Sequence, residues 1–202
     1  MIDTDVFVTG THDRVGKTHL AVAIARRQIS KGRTPGFLKP AQGGRGDDAR
    51  LVAQAAAGAV CTTVYRYAAA LAPAVAARLQ HTDPPSIEHL VDAVDELRAA
   101  TDTVIVEGCG GLLTPLSDTQ SCADLAAVLG LALVIVTIPE PAAINYVALT
   151  LDAARRRGID VAGVVVNRCT ARPDLAERTT RSEFGRMATV LASLPIAETA
   201  AV

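Results

Sequence analysis

The sequence has 202 residues, half of them apolar but only 3% aromatic, and its formal net charge is −1. This length is enough for one domain, residues 1–202, with a core built from alanine and aliphatic side chains. A near-neutral chain offers no basic surface for nucleic acid or anionic membranes, so neither partner is expected. The scattered cysteines have no CxxC spacing, so we expect neither a zinc site nor disulfides.

The N-terminal residues and the apolar runs of the sequence predict where in the cell the protein is located. The N-terminal residues contain no basic region followed by a long apolar stretch, which predicts that there is no signal peptide. The longest apolar run, residues 125–138, is too short to span a bilayer. We therefore expect a cytoplasmic protein with reduced cysteines.

Aliphatic runs alternate along the chain with amphipathic helical patterns. In chain order we predict a strand at 6–9, a helix at 18–31, a weaker strand at 34–39, a functional loop at 40–50, a helix at 87–97 capped by Ser86, strands at 104–107 and 131–138, a helix at 144–157 ended by Gly158, a strand at 161–166 and a helix at 173–188. This alternation predicts the α/β class, with a single-domain parallel β-sheet flanked by helices.

Residues 9–18 read TGTHDRVGKT and connect the first predicted strand to the first predicted helix, which is the context of a phosphate-binding loop. Its backbone N–H groups can surround a phosphate at the helix N-terminus. We predict that Lys17 reaches the β- and γ-phosphates and that Thr18 ligates Mg²⁺. Five residues separate Gly10 from Gly16, one more than in the common pattern. The sequence thus predicts a P-loop nucleotide-binding fold that uses ATP and Mg²⁺.

Charged residues end two other predicted strands. Glu107 precedes the glycine-rich stretch 108–111, and a carboxylate at a strand end is well placed to bind Mg²⁺. A second carboxylate is expected from Asp47 or Asp48, which the sequence does not separate. Lys39 also ends a predicted strand, where its charge can neutralise a transferring phosphoryl group.

The chain resembles the dethiobiotin synthetase family in motifs that follow the family's order over nearly the whole length. They are FVTGT…VGKT (7–18), FLKP (37–40), GDDA (46–49), LAPAVAA (71–77), VEGCGGLLTPLSD (106–118), Ile144-Asn145 and AGVVVNR (162–168). The longer spacing in the phosphate loop is itself the family's form. The resemblance implies an ATP-dependent carbon–nitrogen cyclo-ligase that is a homodimer of one α/β domain. Its substrates would be 7,8-diaminononanoate and CO₂ or bicarbonate, joined through a phosphorylated carbamate.

The resemblance also implies which residues bind the nucleotide. These are Asp13, Arg14, Val15, Gly16, Lys17, Thr18, Asp48, Glu107, Gly108, Cys109, Gly110, Asn167, Arg168 and Pro195. Among them, Asn167 would recognise the adenine, and Pro195 falls near a second loop that contacts this base.

The remaining roles are implied in the same way. Lys17 and Lys39 would be catalytic. The metal ligands would be Thr18, Asp48 and Glu107. The substrate would contact Lys39, Gly43 and Asn145, and Asn145 would reach the site of the partner subunit.

Two departures from the family leave alternatives open. Gly43 stands where the family commonly has a hydroxyl residue, and Asp13 and Arg14 are unusual in the phosphate loop. A related ATP-dependent ligase with another substrate, or a non-catalytic nucleotide-binding paralogue, would show such changes. The retention of every predicted catalytic and metal-binding residue favours the synthetase.

Overall fold

The computed structural model describes residues 2–196, in which seven strands and seven helices alternate along the chain. The strands are β1 (Val6–Gly10), β2 (Pro35–Gly43), β3 (Val60–Tyr67), β4 (Thr103–Gly111), β5 (Leu133–Thr137), β6 (Val161–Cys169) and β7 (Val190–Pro195). The helices are α1 (Lys17–Ser30), α2 (Asp48–Ala55), α3 (Pro73–Gln80), α4 (Ile87–Ala100), α5 (Cys122–Leu129), α6 (Ala142–Arg156) and α7 (Leu175–Met187). None of these helices is long and apolar enough to cross a membrane.

All strands of the described chain form one parallel sheet in the order β3-β2-β4-β1-β5-β6-β7. This arrangement confirms the predicted α/β class. The central strand β1 pairs with β4 on one side and with β5 on the other. Because all strands run in the same direction, the loops that follow β1, β2, β4 and β6 meet at the carboxyl edge of the sheet, where ligands bind in such folds.

The core lies on both faces of the sheet. In β1, Phe7 packs with residues of α3, α4 and α5, whereas Val6 and Val8 pack with α1 and α2. The same alternation in β2 sends Leu38 to the first face and Phe37 to the second. Side chains that are buried on both faces explain why these strands read as continuous aliphatic runs in the sequence.

All five predicted strands and all four predicted helices are present, with shifted boundaries. The strand predicted at 131–138 is shorter, because Leu131 follows the glycine that ends α5 and the strand begins only at Leu133. The helix predicted from residue 144 begins at Ala142. Ser86 caps α4 as predicted, since its side chain accepts a hydrogen bond from His89 N.

Five elements of the fold were not predicted from the sequence. The strands β3 and β7 lie at the two edges of the sheet and are only partly buried, so they lack the aliphatic runs of the central strands. The helices α2, α3 and α5 have eight residues each, which is too short for a clear helical period. The prediction of a loop at 40–50 was wrong, because β2 continues to Gly43 and α2 begins at Asp48.

Candidate active site

The segment between β1 and α1 forms a tightly packed loop. Arg14 has a φ of 61° and Gly16 a φ of 101°, both in the left-handed region. A Cβ atom at Gly16 would lie 1.9 Å from Asn167 Nδ2, and one at Gly10 would lie 2.7 Å from Val15 Cγ2. Glycine is therefore required at both positions by close contacts, and at Gly16 also by its backbone conformation.

Lys17 begins α1 and is buried at the base of this loop. Its Nζ donates a hydrogen bond to the carbonyl oxygen of His12 at 3.3 Å, inside the loop. Burial and the positive charge of Lys39 lower the pKa of Lys17 below its ordinary value. The ammonium group is thus short of compensating negative charge, which a bound phosphate would supply.

Lys39 joins two carboxylates at the carboxyl edge of the sheet. Its Nζ lies 2.7 Å from Glu107 Oε1 and 2.8 Å from Asp48 Oδ2. Burial by itself lowers the pKa of Lys39, but the neighbouring Glu107, Cys109 and Asp48 together raise it above its ordinary value. The predicted residues of β2, α2 and β4 therefore form one cluster of charges, in which Lys39 and Glu107 are buried and Asp48 is partly exposed.

Asp47 and Asp48, which the sequence does not distinguish, make different contacts in the structure. Asp47 caps α2, because its side chain accepts a hydrogen bond from Arg50 N, and it also pairs with Arg66 at 3.0 Å. Asp48, the first residue of α2, turns its carboxylate to Lys39. Asp48 is thus the carboxylate that joins the site, and Asp47 has a structural role at the helix end.

Glu107 is almost fully buried, and only one of its two carboxylate oxygens has hydrogen-bond partners among the described residues. Its Oε1 accepts hydrogen bonds from Thr18 Oγ1 at 3.0 Å and from Lys39, while its Oε2 has no hydrogen-bond partner among the described residues. Burial, to which the charge of Asp48 adds, raises the pKa of Glu107, against the opposing effect of Lys39 and Lys17. An unpartnered buried carboxylate oxygen is costly unless something binds it.

The oxygens around Glu107 fit a hard cation. The hydroxyl of Thr18 and the carboxylates of Asp48 and Glu107 are ligand types that suit Mg²⁺, which usually keeps water or phosphate oxygens as its other ligands. Within residues 2–196 no group of three His, Cys, Asp or Glu side chains could hold a metal by itself. The hydroxyl and the two carboxylates thus supply oxygen atoms of the kind that a hard cation binds.

A cleft of about 830 Å³ opens above this cluster. It is lined by the loop residues Asp13, Arg14, Gly16, Lys17 and Thr18, by Lys39, Gly43 and Asp48, by Glu107, Cys109 and Gly110, and by Arg168. The cleft has both charged and apolar walls, and the segment 70–73 supplies much of the apolar part. Most of the predicted site residues are thus brought together around one cleft.

Gly43 lies at the end of β2, where another segment comes very close. A Cβ atom at Gly43 would lie 2.6 Å from the carbonyl oxygen of Ala69 and 3.3 Å from the backbone at Ala70 and Leu71. The family's hydroxyl residue would not fit here without a shift of segment 69–71. Gly43 therefore offers only its backbone to the cleft.

The glycine-rich end of β4 has mixed roles. Gly108 packs against Phe7, and its carbonyl oxygen accepts a 3.5 Å hydrogen bond from Lys39. The thiol of Cys109 donates to the carbonyl of Ala41 at 3.1 Å, and a hydrogen bond with Cys122 is the main cause that lowers the pKa of Cys109 below its ordinary value. Gly108 thus braces the site from behind, whereas Cys109 lines the cleft.

The residues predicted to contact the base lie at the ends of β6 and β7. Asn167 is buried, and its Nδ2 donates a hydrogen bond to the carbonyl oxygen of Val15 at 2.8 Å. Arg168 Nη2 donates to the carbonyl oxygen of Arg14 at 2.7 Å. Pro195 pairs in register with Cys169 and so lies beside this strand end.

Asn145 lies outside the cleft. It is exposed in the first turn of α6, and it does not line the cleft. The next residue, Tyr146, has its ring 5.7 Å from the ring of His12 in the phosphate loop. The first turn of α6 therefore flanks the loop from outside.

Some residues that line the cleft were not predicted from the sequence. Thr114 lines it, and its Oγ1 accepts a hydrogen bond from Gly111 N at 3.0 Å. Gln42 also lines it, and its Oε1 accepts from Asp48 N at 3.3 Å. Thr114 lies inside the VEGCGGLLTPLSD motif, which was the available signal, and Gln42 lies inside the functional loop predicted at 40–50, which did not single it out.

The chain is similar to known proteins over nearly its full length. A sequence model of the AAA domain family matches residues 4–201. The ATP-dependent dethiobiotin synthetase BioD of Anaeromyxobacter dehalogenans (strain 2CP-C) is 39% identical over 191 residues, which is 90% of this chain and 84% of that protein. BioD of Mycobacterium leprae (strain Br4923) is 38% identical over 197 residues, 95% of this chain and 87% of that protein.

Solved structures with low sequence identity share the fold. Cobyrinic acid a,c-diamide synthase from Mycobacterium smegmatis, with a bound ATP analogue and magnesium, has a TM-score of 0.60 at 11% identity, covering 100% of this chain and 86% of that one. A nucleotide-binding protein from Archaeoglobus fulgidus in complex with ADP has a TM-score of 0.59 at 13% identity, covering 97% and 82%. At these identities the similarity establishes the fold alone.

Proposed function

The chain belongs to the family of ATP-dependent dethiobiotin synthetases, and we propose that it closes the ureido ring of dethiobiotin from 7,8-diaminononanoate and CO₂. The observation that carries this proposal is the cleft in which the phosphate-loop residues Lys17 and Thr18 meet Lys39, Asp48 and Glu107. Five charged or hydroxyl groups from two helices and two strands converge there, which suits phosphoryl transfer.

The reaction needs three bond-forming steps. One amine nitrogen of the substrate attacks the carbon of CO₂ and loses a proton, which gives a carbamate. A carbamate oxygen then attacks the γ-phosphorus of ATP, and the bond to ADP breaks. The second amine attacks the carbamoyl carbon, the bond to phosphate breaks, and the nitrogen loses its proton. ADP and phosphate are the products that leave with the ring closed.

The two lysines supply positive charge where negative charge develops. Lys17 lies at the loop that would hold the β- and γ-phosphates, and Lys39 projects from the end of β2 into the same cleft. Positioning and charge neutralisation account for most catalysis of phosphoryl transfer. The Lys39 ammonium is held by Glu107 and Asp48, so its place is fixed before substrates bind.

We also propose that Mg²⁺ accompanies the nucleotide. Thr18, Asp48 and Glu107 would hold it, and when bound it neutralises charge on the phosphate oxygens. Oε2 of Glu107, which has no hydrogen-bond partner in the part of the chain that the structure describes, supports this part of the proposal.

We also propose that the protein is a single domain, is cytoplasmic and forms a homodimer. The single sheet of residues 2–196 supports one domain for residues 1–202. The four free cysteines agree with a reducing, cytoplasmic location. Exposed Asn145, Tyr146 and Leu149 on α6 support a homodimer in which Asn145 approaches the partner's substrate. Light scattering of the purified protein tests the dimer, and a monomeric mass would contradict it.

The decisive test is the product. The purified protein is incubated with ATP, Mg²⁺ and bicarbonate, with and without 7,8-diaminononanoate, and ADP is measured while mass spectrometry follows dethiobiotin. We expect ADP release that depends on the diamine and matches dethiobiotin in amount. Nucleotide binding without any diamine-dependent turnover would favour a ligase for another substrate or a non-catalytic paralogue.

A further inference from the structure

Two consecutive side chains at the end of β6 bind two consecutive carbonyl groups of the phosphate loop. Asn167 Nδ2 donates to Val15 O at 2.8 Å, and Arg168 Nη2 donates to Arg14 O at 2.7 Å. These residues lie about 150 positions apart in the chain, with separations of 152 and 154. The phosphate loop is therefore held by the end of β6. One of the two donors, Asn167, is the residue predicted to recognise the adenine.

These two bonds fix the direction of the loop's peptide groups. In a planar trans peptide, the carbonyl of one residue and the N–H of the next point in opposite directions. A carbonyl of Arg14 or Val15 that is turned to β6 therefore directs the N–H of Val15 or Gly16 away from β6. Backbone N–H groups oriented in this way form the anion-binding surface of a phosphate loop.

The loop needs such support because its backbone is not in a relaxed state. Arg14 has a φ of 61°, which a residue with a side chain adopts only when its surroundings hold it there. Gly16 packs so closely on Asn167 that even a Cβ atom would collide with the amide. The contact between Asn167 and the loop is thus both a hydrogen bond and a close packing contact.

We propose that Asn167 and Arg168 are positioning residues that hold the phosphate loop in its anion-binding conformation before any nucleotide arrives. This inference rests on the proposed ATP site and adds a role to Asn167 besides adenine recognition. An amide side chain has a second N–H and a carbonyl oxygen in addition to the donor that Val15 uses. One side chain can therefore contact the base and brace the phosphate site, which couples the two ends of the nucleotide site.

The distinguishing probe is inorganic tripolyphosphate with Mg²⁺, which has the phosphates of ATP but no base. Its affinity and that of ATP are measured by calorimetry for the unaltered protein and for Asn167→Ala. A side chain that only contacts adenine would change the affinity for ATP alone. We expect Asn167→Ala to weaken the binding of tripolyphosphate by about threefold to tenfold, as the loss of one hydrogen bond implies, and the binding of ATP by at least that factor.

A second measurement needs no ligand. Amide hydrogen exchange of the loop residues 14–17 is followed in the free protein, where base contacts play no part. We expect faster exchange in Asn167→Ala and, to a smaller degree, in Arg168→Ala. Arg172→Ala is the matched control, because Arg172 is an exposed arginine four positions further along the same segment, and it should leave exchange unchanged.

The outcomes separate this inference from the proposed function. Unchanged tripolyphosphate affinity and unchanged loop exchange in a folded Asn167→Ala protein would overturn the positioning role and leave the ATP site intact. An unaltered protein that binds neither ATP nor tripolyphosphate would overturn the phosphate site and the positioning role together. If Asn167→Ala does not fold, amide hydrogen exchange of residues 14–17 is compared between Arg168→Ala and Arg172→Ala. Equal exchange in these two variants would overturn the positioning role.

Discussion

The amino edge of the sheet, where the strands begin, and the carboxyl edge, where they end, both carry charged residues and a cleft. They differ in whether the charged groups have partners. At the amino edge, a cavity of about 750 Å³ lies beside Asp5, Arg98 and Asp102. Asp5 pairs with Arg98 at 2.9 Å and accepts a hydrogen bond from Val104 N, and Asp102 accepts one from Thr34 N. These partly exposed groups close the ends of strands and have their partners within the chain.

The carboxyl edge has a cleft of similar size, about 830 Å³, but its charges are buried and incompletely compensated. Glu107 keeps one oxygen without a partner among residues 2–196, and burial together with Lys39 lowers the pKa of Lys17. Burial of charge is expensive without full pairing, so a buried charge that lacks full pairing marks a candidate ligand-binding site. Cavity volume does not distinguish the two edges, whereas unsatisfied buried charge does.

The largest effect is expected from the phosphate loop. Lys17→Met keeps the volume of the side chain but removes its charge, so turnover should fall by about 10²–10³-fold, as when one stabilising donor is lost. Lys31→Met, at the other end of α1 where Lys31 pairs with Asp3, is the matched control and should retain activity. ADP formation measures both, and equal activities would mean that Lys17 does not bind phosphate.

The next effect concerns the two carboxylates that meet Lys39. Glu107→Gln and Asp48→Asn should each lower turnover by about 10²-fold and raise the Mg²⁺ concentration needed for half-maximal rate, because each removes one charged metal ligand. Asp47→Asn is the control, since asparagine also caps a helix well. A loss of activity in Asp47→Asn as large as that in Asp48→Asn would contradict the separation of the two residues.

An effect of intermediate size on stability and activity is expected from a substitution where β2 contacts segment 69–71. Gly43→Ser restores the family's hydroxyl but places a Cβ atom 2.6 Å from Ala69 O. Overpacking of this kind typically destabilises by about 1–3 kcal/mol, so urea denaturation should shift to lower concentration and kcat/KM should fall. Gly185→Ser, at a position with open space, is the control. Unchanged stability with a lower KM for the diamine would contradict this expectation and would show that segment 69–71 shifts to make room for the serine side chain.

A pH effect follows from the poorly compensated lysine. Burial and Lys39 lower the pKa of Lys17 below 10.5, so Lys17 loses its proton at a lower pH than an ordinary lysine does. The affinity for Mg²⁺-tripolyphosphate should therefore fall as the pH rises, and the fall should begin before the pH reaches 10.5. Lys17→Arg, which stays charged, should remove this part of the pH dependence. A fall of equal size in both proteins would assign it to another group.

The smallest effect is expected at the amino edge. Arg98→Ala removes a partly exposed ion pair with Asp5, which keeps its hydrogen bond from Val104 N. Such pairs contribute about 0–1 kcal/mol, so the free energy of unfolding should change little and kcat should not change. Urea denaturation and ADP formation measure the two quantities. A clear loss of activity would mean that the amino edge takes part in function.

Local patterns in the sequence determined the main features of the fold and the site. The strand, glycine-rich turn and helix of the phosphate loop follow each other directly, so Lys17 and Thr18 were identified from neighbours in the chain. Lys39 and Glu107 were identified because each ends a buried strand, and parallel strands bring their carboxyl ends to one edge. These inferences needed no knowledge of the strand order.

Only the tertiary structure decided which distant groups meet. The bond from Asn167 to Val15, the approach of Ala69 to Gly43, and the turn of Asp48 rather than Asp47 to Lys39 depend on the order of the strands and on how the helices pack. The edge strands were missed for a related reason, since partly buried strands have weak sequence patterns. The sequence thus records which side chains are buried along each element, and the packing of elements sets which of them touch.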